Sequence, residues 1–228
     1  VATDPAACGV ARVALRARVT TLARAADVAA MDAMCPTTPE WRGRDVLAHL
    51  VGVDADILAG RLEGAGTDAW TAVQVDARRD HSVADLCAEW DETGPRVEAV
   101  AAAFGPVAGQ WVFDACTHEH DLRLLLGAPG ARDSDAVLTG GTWILDRLGE
   151  RLDATGRPAL HLTLEDGPVT LGTGRPATGL RTTRFEMMRA LAGRRSRTQI
   201  DAWDWDGTAR TDDLARDPFP PPPHDVDE

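Results

Sequence analysis

The chain has no surplus of positive charge. Its 24 arginines and lysines stand against 36 aspartates and glutamates, for a net charge of −12 and a pI near 4.9. A polyanion or an anionic bilayer repels such a surface unless a concentrated basic patch interrupts it, and here only Arg194, Arg195 and Arg197 cluster. Three arginines are too few to track phosphates, so neither nucleic acid nor membrane is expected as a partner. The four cysteines, Cys8, Cys35, Cys87 and Cys116, show no C-x-x-C spacing, which suits reduced thiols in a cytoplasm. There is no signal-peptide pattern, no uninterrupted apolar run of membrane length, no internal repeat and no glycine-rich phosphate loop. The expectation is a cytoplasmic, monomeric protein that acts on small molecules.

What is present suits a globular enzyme. With 228 residues and 44% hydrophobic content, the chain can bury a substantial core. Helical patterns fill the first two thirds. The run Pro5–Met34 is rich in Ala, Val, Leu and Arg, has no glycine after Gly9, and predicts one long helix stopped by Cys35-Pro36-Thr37-Thr38-Pro39. From Arg42 to Glu63 an apolar stripe built on Val46, Leu47, Leu50, Val53, Ile57 and Leu58 predicts a second helix, with His49 at its border. Ser82, with Asp85 three residues on, predicts the start of a third that runs toward Phe104 and is kinked or divided at Pro95. Trp111–Leu126, closed by Gly127, reads as a fourth, and a fifth follows Ser134 through Leu152.

After Gly156 the period changes from helical to alternating. Leu160, Leu162 and Leu164 alternate with His161, Thr163 and Glu165, and Asp166-Gly167 followed by Val169-Thr170-Leu171 predicts a β-hairpin. A strand near Thr178–Thr182, a helix bearing Met187 and Leu191, and a last strand within Ile200–Trp205 complete this part. Pro218–Glu228, proline-rich and acidic, reads as disordered. The expected organisation is α+β: a helical bundle over residues 1–155, a small α/β domain over 156–216 and a disordered tail over 217–228.

The chemistry concentrates in Asp114-Ala115-Cys116-Thr117-His118-Glu119-His120-Asp121-Leu122-Arg123. On a helix of 3.6 residues per turn, Asp114 and His118 share a face and can converge on one ion, while Asp121, a turn further, can orient the imidazole. His49, a lone imidazole among apolar residues of an earlier helix, offers a third ligand. Two imidazoles and one carboxylate leave a coordination position open, as catalytic zinc requires. The competing readings are a satisfied core histidine at His49, a helix-surface pair at Asp114 and His118, and a salt bridge from Asp121 to an arginine. Glu119 and His120 turn away from the ligand line, and Cys116 reads as core packing.

Two segments together carry a family resemblance. Trp41-Arg42-Gly43-Arg44-Asp45-Val46-Leu47-Ala48-His49-Leu50 reads W-x-x-x-D-V-L-A-H-L, and Asp114 to Arg123 reads D-x-x-x-H-x-x-D-L-R. In this order they resemble the mycothiol-dependent maleylpyruvate isomerase family, whose N-terminal domain is a DinB-like four-helix bundle. Further on, Arg184-Phe185-Glu186-Met187-Met188-Arg189-Ala190-Leu191-Ala192-Gly193-Arg194-Arg195-Ser196 looks like the F-x-x-x-R-x-L-x-G-R-R-S signature of that family's small, sterol-carrier-like α/β domain. The resemblance implies that His49, Asp114 and His118 bind a divalent metal, usually zinc. The family carries Glu where this chain has Asp114, a carboxylate shorter by one methylene.

The resemblance also implies a mechanism and partners: a metal-activated thiol of mycothiol adds to an electrophilic cis-enoyl acid, the former double bond rotates, and the thiol leaves from the trans isomer. Isomerase and thiol S-transferase chemistry both use this first step. An acid substrate calls for a cation, and Arg194 and Arg195 are the candidates, because a planar guanidinium matches a carboxylate. The same arginines at a helix C-terminus would also serve its dipole alone. The expected cleft lies between the two domains, with the metal on the bundle side. Two alternatives use the same residues differently: a hydrolase with water in the open metal position, and a non-enzymatic module in which the metal staples the bundle and the C-terminal part holds an apolar ligand.

Overall fold

The computed structural model describes residues 4–216 and 218–228 and has an α+β architecture. Its contacts divide the chain into two compact units, one made of Pro5–Ala108 and His118–Gly130, the other mainly of Gly109–Thr117 and Ala131–Glu228. No helix among the described residues is long and apolar enough to cross a membrane.

The first unit is helical. Helix α1 spans Pro5–Ala25 and the short α2 spans Val28–Met31. The single helix expected over Pro5–Met34 is therefore broken, with Asp27 in an extended conformation (φ −64°, ψ 151°) ahead of α2. Aspartate is a poor helix-interior residue and a good boundary one, which places the break without glycine or proline. A two-stranded ribbon, β1 (Met34–Cys35) and β2 (Thr38–Arg42), leads into α3 (Gly43–Ala59), which stops at Gly60 in the left-handed region. A helix that the sequence pattern did not announce, α4 (Asp68–Asp76), is capped by Thr67, whose hydroxyl accepts from the Trp70 N–H. Ser82 and Asp85 form the expected capping box of α5 (Val83–Glu98). Pro95 sits within the last turn of α5 and does not divide it; beyond, the chain enters a 3-10 helix (Ala101–Val107) instead of continuing as α-helix to Phe104.

Three helices of this unit meet at a buried charge. Asp54 of α3 accepts from Arg12 of α1 at 2.7 Å through Oδ1 and from the Trp90 indole of α5 at 2.7 Å through Oδ2. All three residues are buried, and the Arg12 guanidinium lies 5.6 Å from the centre of the Trp90 ring. A charge removed from water is tolerated only when paired and hydrogen-bonded, as this carboxylate is on both oxygens.

The second unit is mixed. Helix α6 (Ala108–Leu125) passes through both units, and its first half packs where α7 (Asp135–Ala154) has no side chains: a Cβ at Gly140 would lie 2.8 Å from the Phe113 Cα. Strands β3 (Leu160–Leu164) and β4 (Gly167–Leu171) form the expected hairpin, with Leu164 opposite Gly167. Strand β5 (Thr178–Arg181) runs parallel to β3, and β6 (Asp204–Asp206) antiparallel to β5, giving the order β4-β3-β5-β6. Leu160, Leu162 and Leu164 are buried with Leu145, Leu148 and Leu152 of α7, Met187 and Leu191 of α8 (Arg184–Leu191), and Ile200 of α9 (Arg197–Asp201). The last strand is shorter than expected because Ser196 and Gln199 form a capping box that starts α9 and keeps Ile200 helical. A short α10 (Thr211–Leu214) follows. The tail expected to be disordered instead makes defined contacts: the Gln199 side chain bonds both backbone groups of Val226, and Glu228 accepts from Arg189 and Arg195. Composition alone cannot see the complementary groups that hold a polar segment in place.

Candidate metal centre

The ribbon β1–β2 and helices α3 and α6 carry the chemistry. His49 is buried on α3; Asp114 and His118 stand one turn apart on α6, half-buried and buried respectively. One ligand atom from each of the three lies within 4.8 Å of the others. Atoms that share a tetrahedral ion at about 2.1 Å stand roughly 3.4 Å apart, so modest side-chain rotation closes this set on an ion. The imidazoles of His49 and His118 meet edge to face, with ring centres 5.0 Å apart, and the half-buried Trp41 indole of β2 lies against both, at 5.3 and 5.8 Å.

The hydrogen bonds behind the histidines decide which nitrogen is available. His118 Nδ1 stands 3.0 Å from Asp121 Oδ2. An ionised carboxylate only accepts, so Nδ1 carries the proton and Nε2 keeps a lone pair. Asp121 is held in turn by the Thr37 hydroxyl at 2.8 Å, and its backbone oxygen accepts from the Cys35 thiol at 3.6 Å. His49 Nδ1 lies 2.8 Å from Gln74 Oε1. The amide orientation is settled one step further out, where Gln74 Nε2 donates to Asp56 Oδ2 at 2.8 Å and Arg61 closes on Asp56 Oδ1 at 2.8 Å. Gln74 therefore presents its oxygen to His49, which again places the ring proton on Nδ1. Two imidazoles protonated at Nδ1 and one carboxylate fit a borderline divalent ion, zinc or one of its neighbours.

The structure brings His49, Asp114 and His118 into one cluster with Asp121 beside His118, and adds a contact of His49 that the sequence did not announce. Gln74 lies on the unannounced α4. One signal for it exists: Gly52, in the interior of α3 one turn after His49, where glycine costs about 1 kcal/mol relative to alanine. A Cβ there would lie 2.5 Å from the Gln74 Cβ, so the glycine admits α4 to this distance. Glu119, fully buried, accepts from Arg18 at 2.7 Å through each oxygen and from Arg123 at 2.9 Å. Cys116 is buried.

The two candidate arginines lie just after α8, where groups of the chain itself hold them. Arg195 is buried, gripped by Glu186 at 2.5 and 2.9 Å and by Glu228 at 2.6 Å. Burial pulls its pKa down, and the two carboxylates outweigh that and hold it above the ordinary value. Its charge is committed inside the fold. Arg194 is half-buried and donates to the Ala192 carbonyl at 2.5 Å, the helix-end role that competed with ligand binding in the sequence. Arg189, the earlier arginine of the same signature, is fully buried and donates to the Thr117 carbonyl at 2.9 Å, one residue before His118.

Comparison with known proteins bears on this geometry. Residues 12–127 match the family model described as the mycothiol maleylpyruvate isomerase N-terminal domain. Among solved structures, a mutant of the mycothiol-dependent maleylpyruvate isomerase aligns with a TM-score of 0.55 at 10% identity, over 82% of this chain and 88% of that one. Another crystal structure of a mycothiol-dependent maleylpyruvate isomerase aligns with a TM-score of 0.49 at 15% identity over the same shares. No curated protein matches the sequence.

Proposed function

Because the chain belongs to the family of the mycothiol maleylpyruvate isomerase N-terminal domain, we propose that it is a metal- and mycothiol-dependent enzyme acting on an electrophilic enoyl acid. The single observation that carries this reading is the convergence of His49, Asp114 and His118 with both Nδ1 atoms tied back. Zinc held by these residues would lower the pKa of a thiol in its open position and so supply a thiolate at neutral pH.

The residues of the chain then have separate tasks. His49 and His118 offer Nε2 lone pairs without losing a proton on loading, because Gln74 and Asp121 already hold the Nδ1 protons. Asp114 supplies one negative charge, which leaves the loaded site net positive and able to favour an anionic sulfur. The Trp41 indole forms an apolar wall that limits water beside the histidines. Bound mycothiol would supply the sulfur nucleophile that adds to the conjugated alkene and leaves again, so that cis and trans acids interconvert with no net gain or loss of atoms.

The test is elemental analysis of extensively dialysed protein, followed by ultraviolet assay of cis-enoyl diacids with mycothiol. One equivalent of zinc, with trans product that vanishes in His49→Ala and His118→Ala, is expected. Full turnover in protein stripped of metal would overturn the proposal, as would a dialysed protein that neither retains nor rebinds a divalent ion.

A further inference from the structure

Helix α4 supports His49 and buries little of itself. Of its residues only Gln74 is buried; Trp70, Thr71 and Val75 are half-buried, and Val73 is 66% exposed. Residues 59–67, which lead into it, are all exposed, and Gly64 and Gly66 turn the backbone there at φ 73° and 84°. The Trp70 indole donates to the Arg61 carbonyl at 2.9 Å, a contact that ties the helix only to this same stretch. The far end is pinned: Arg78 Nε donates to Glu89 Oε2 of α5 at 3.0 Å, and Arg44 of α3 donates to the carbonyls of Arg79 and His81. A helix with little buried apolar surface opens at low free-energy cost, and here the opening would pivot on residues 78–81.

The supports of the two histidines differ in reach. Asp121 backs His118 from the same helix, three residues on, so that pair stays together whatever else moves. Gln74 backs His49 from a separate element, twenty-five residues on. A neutral imidazole has two tautomers, and they treat Gln74 differently. With the proton on Nδ1 the ring donates to Oε1; with the proton on Nε2, two lone pairs would face each other across 2.8 Å. The amide cannot adjust by turning over, because its own Nε2 is engaged by Asp56 Oδ2 at 2.8 Å. A divalent ion on Nε2 of His49 permits only the first tautomer and, by withdrawing charge from the ring, makes the Nδ1–H a stronger donor. Docked α4 and a bound ion thus favour the same state of one ring.

We infer that α4 is a latch on the metal centre: its docking through Gln74 and the loading of an ion at His49, Asp114 and His118 stabilise one another, so that α4 opens more often in the unloaded protein. The inference rests on the metal binding proposed above and adds to it a route for ion exchange, because an opened α4 leaves the ring of His49 without its brace. Coupling of this kind is reciprocal: the factor by which the ion holds α4 shut is the factor by which shut α4 tightens the ion.

The experiment follows hydrogen exchange by mass spectrometry in the full chain, stripped of metal and then loaded with zinc, and in parallel the rate at which the loaded protein yields zinc to an excess of chelating dye. Zinc should slow exchange at residues 68–76 at least about fivefold, beyond any slowing in β3 and β4, which report global stabilisation. Gln74→Leu cuts the link, so its α4 should exchange at one rate with and without zinc. Arg78→Met keeps the stem, loosens α4 at its pinned end and lies outside the ligand set; it should speed exchange in α4 and zinc release by the same factor. Zinc retained with α4 exchange unchanged in the parent would overturn the inference and leave the metal reading standing, as would faster exchange in Arg78→Met with zinc release unchanged. A chain that takes up no zinc would overturn both. Should either variant fail to fold, the parent with and without zinc decides alone.

Discussion

Each unit buries arginine against carboxylate, and the two clusters are closed in different ways. In the helical unit, Asp54 is met by Arg12 and Trp90 from two other helices, so every partner belongs to a rigid element. In the mixed unit, Arg189 and Arg195 belong to α8 and the turn after it, while Glu228 belongs to an extended segment outside helices and strands. The charge chemistry is alike; the element that carries the last partner differs. One cluster is completed by a helix, the other by a segment outside helices and strands that side chains of α8, α9 and the turn between them hold in place. The candidate metal centre is built the first way, its two imidazoles backed by hydrogen bonds from side chains on helices.

That contrast can be broken by experiment, and the sharpest break is at Asp54. Asp54→Ala strands the buried Arg12 guanidinium and should cost about 3–5 kcal/mol, read from urea denaturation. A loss below about 1 kcal/mol would mean that water reaches the cluster and that it is no more rigid than the other. Asp121→Asn weakens the support of His118 and should lower zinc affinity by roughly ten- to a hundredfold, measured by competition with a chelating dye. Gln74→Leu removes the neutral support of His49 and should lower affinity by about tenfold, less than loss of the charged one. If the order of these two is reversed, the amide relay to Asp56 and Arg61 matters more than formal charge. The smallest effect is expected at Glu228→Gln, about 1 kcal/mol in the same denaturation assay, because Arg195 keeps Glu186 and Arg189 keeps the Thr117 carbonyl. A loss as large as that of Asp54→Ala would make the two clusters equivalent and the tail contact as much a part of the core as Asp54.

The sequence disclosed what depends on period and spacing. The apolar stripe of α3, the one-turn separation of Asp114 and His118, and the alternation of Leu160, Leu162 and Leu164 each follow from local geometry, and the elements stand where that geometry puts them. It concealed what depends on a distant complement. Helix α4 is nine residues long with only Gln74 buried, so it had no apolar stripe to announce it. Arg195 looked available because nothing near it in the sequence reveals Glu228, thirty-three residues later, as its partner. The tail looked disordered for the same reason, since its composition excludes a core of its own and says nothing about Gln199 or Gly193. The break at Asp27 was missed because α1 and α2 are both good helical sequence, and only the aspartate between them marks the boundary.

Gly52 gives the molecule an unusual sensitivity to improvement. Replacing an interior helical glycine by alanine is a common way to raise the melting temperature, worth about 1 kcal/mol per site where the side chain has room. Here the added methyl would meet the Gln74 Cβ at 2.5 Å, so α4 would have to retreat and take with it the oxygen that holds the proton of His49. Position 52 is thus closed to a stabilisation that works at roomier helical glycines, and an alanine placed there would loosen the packing of α4 and the support of His49 together.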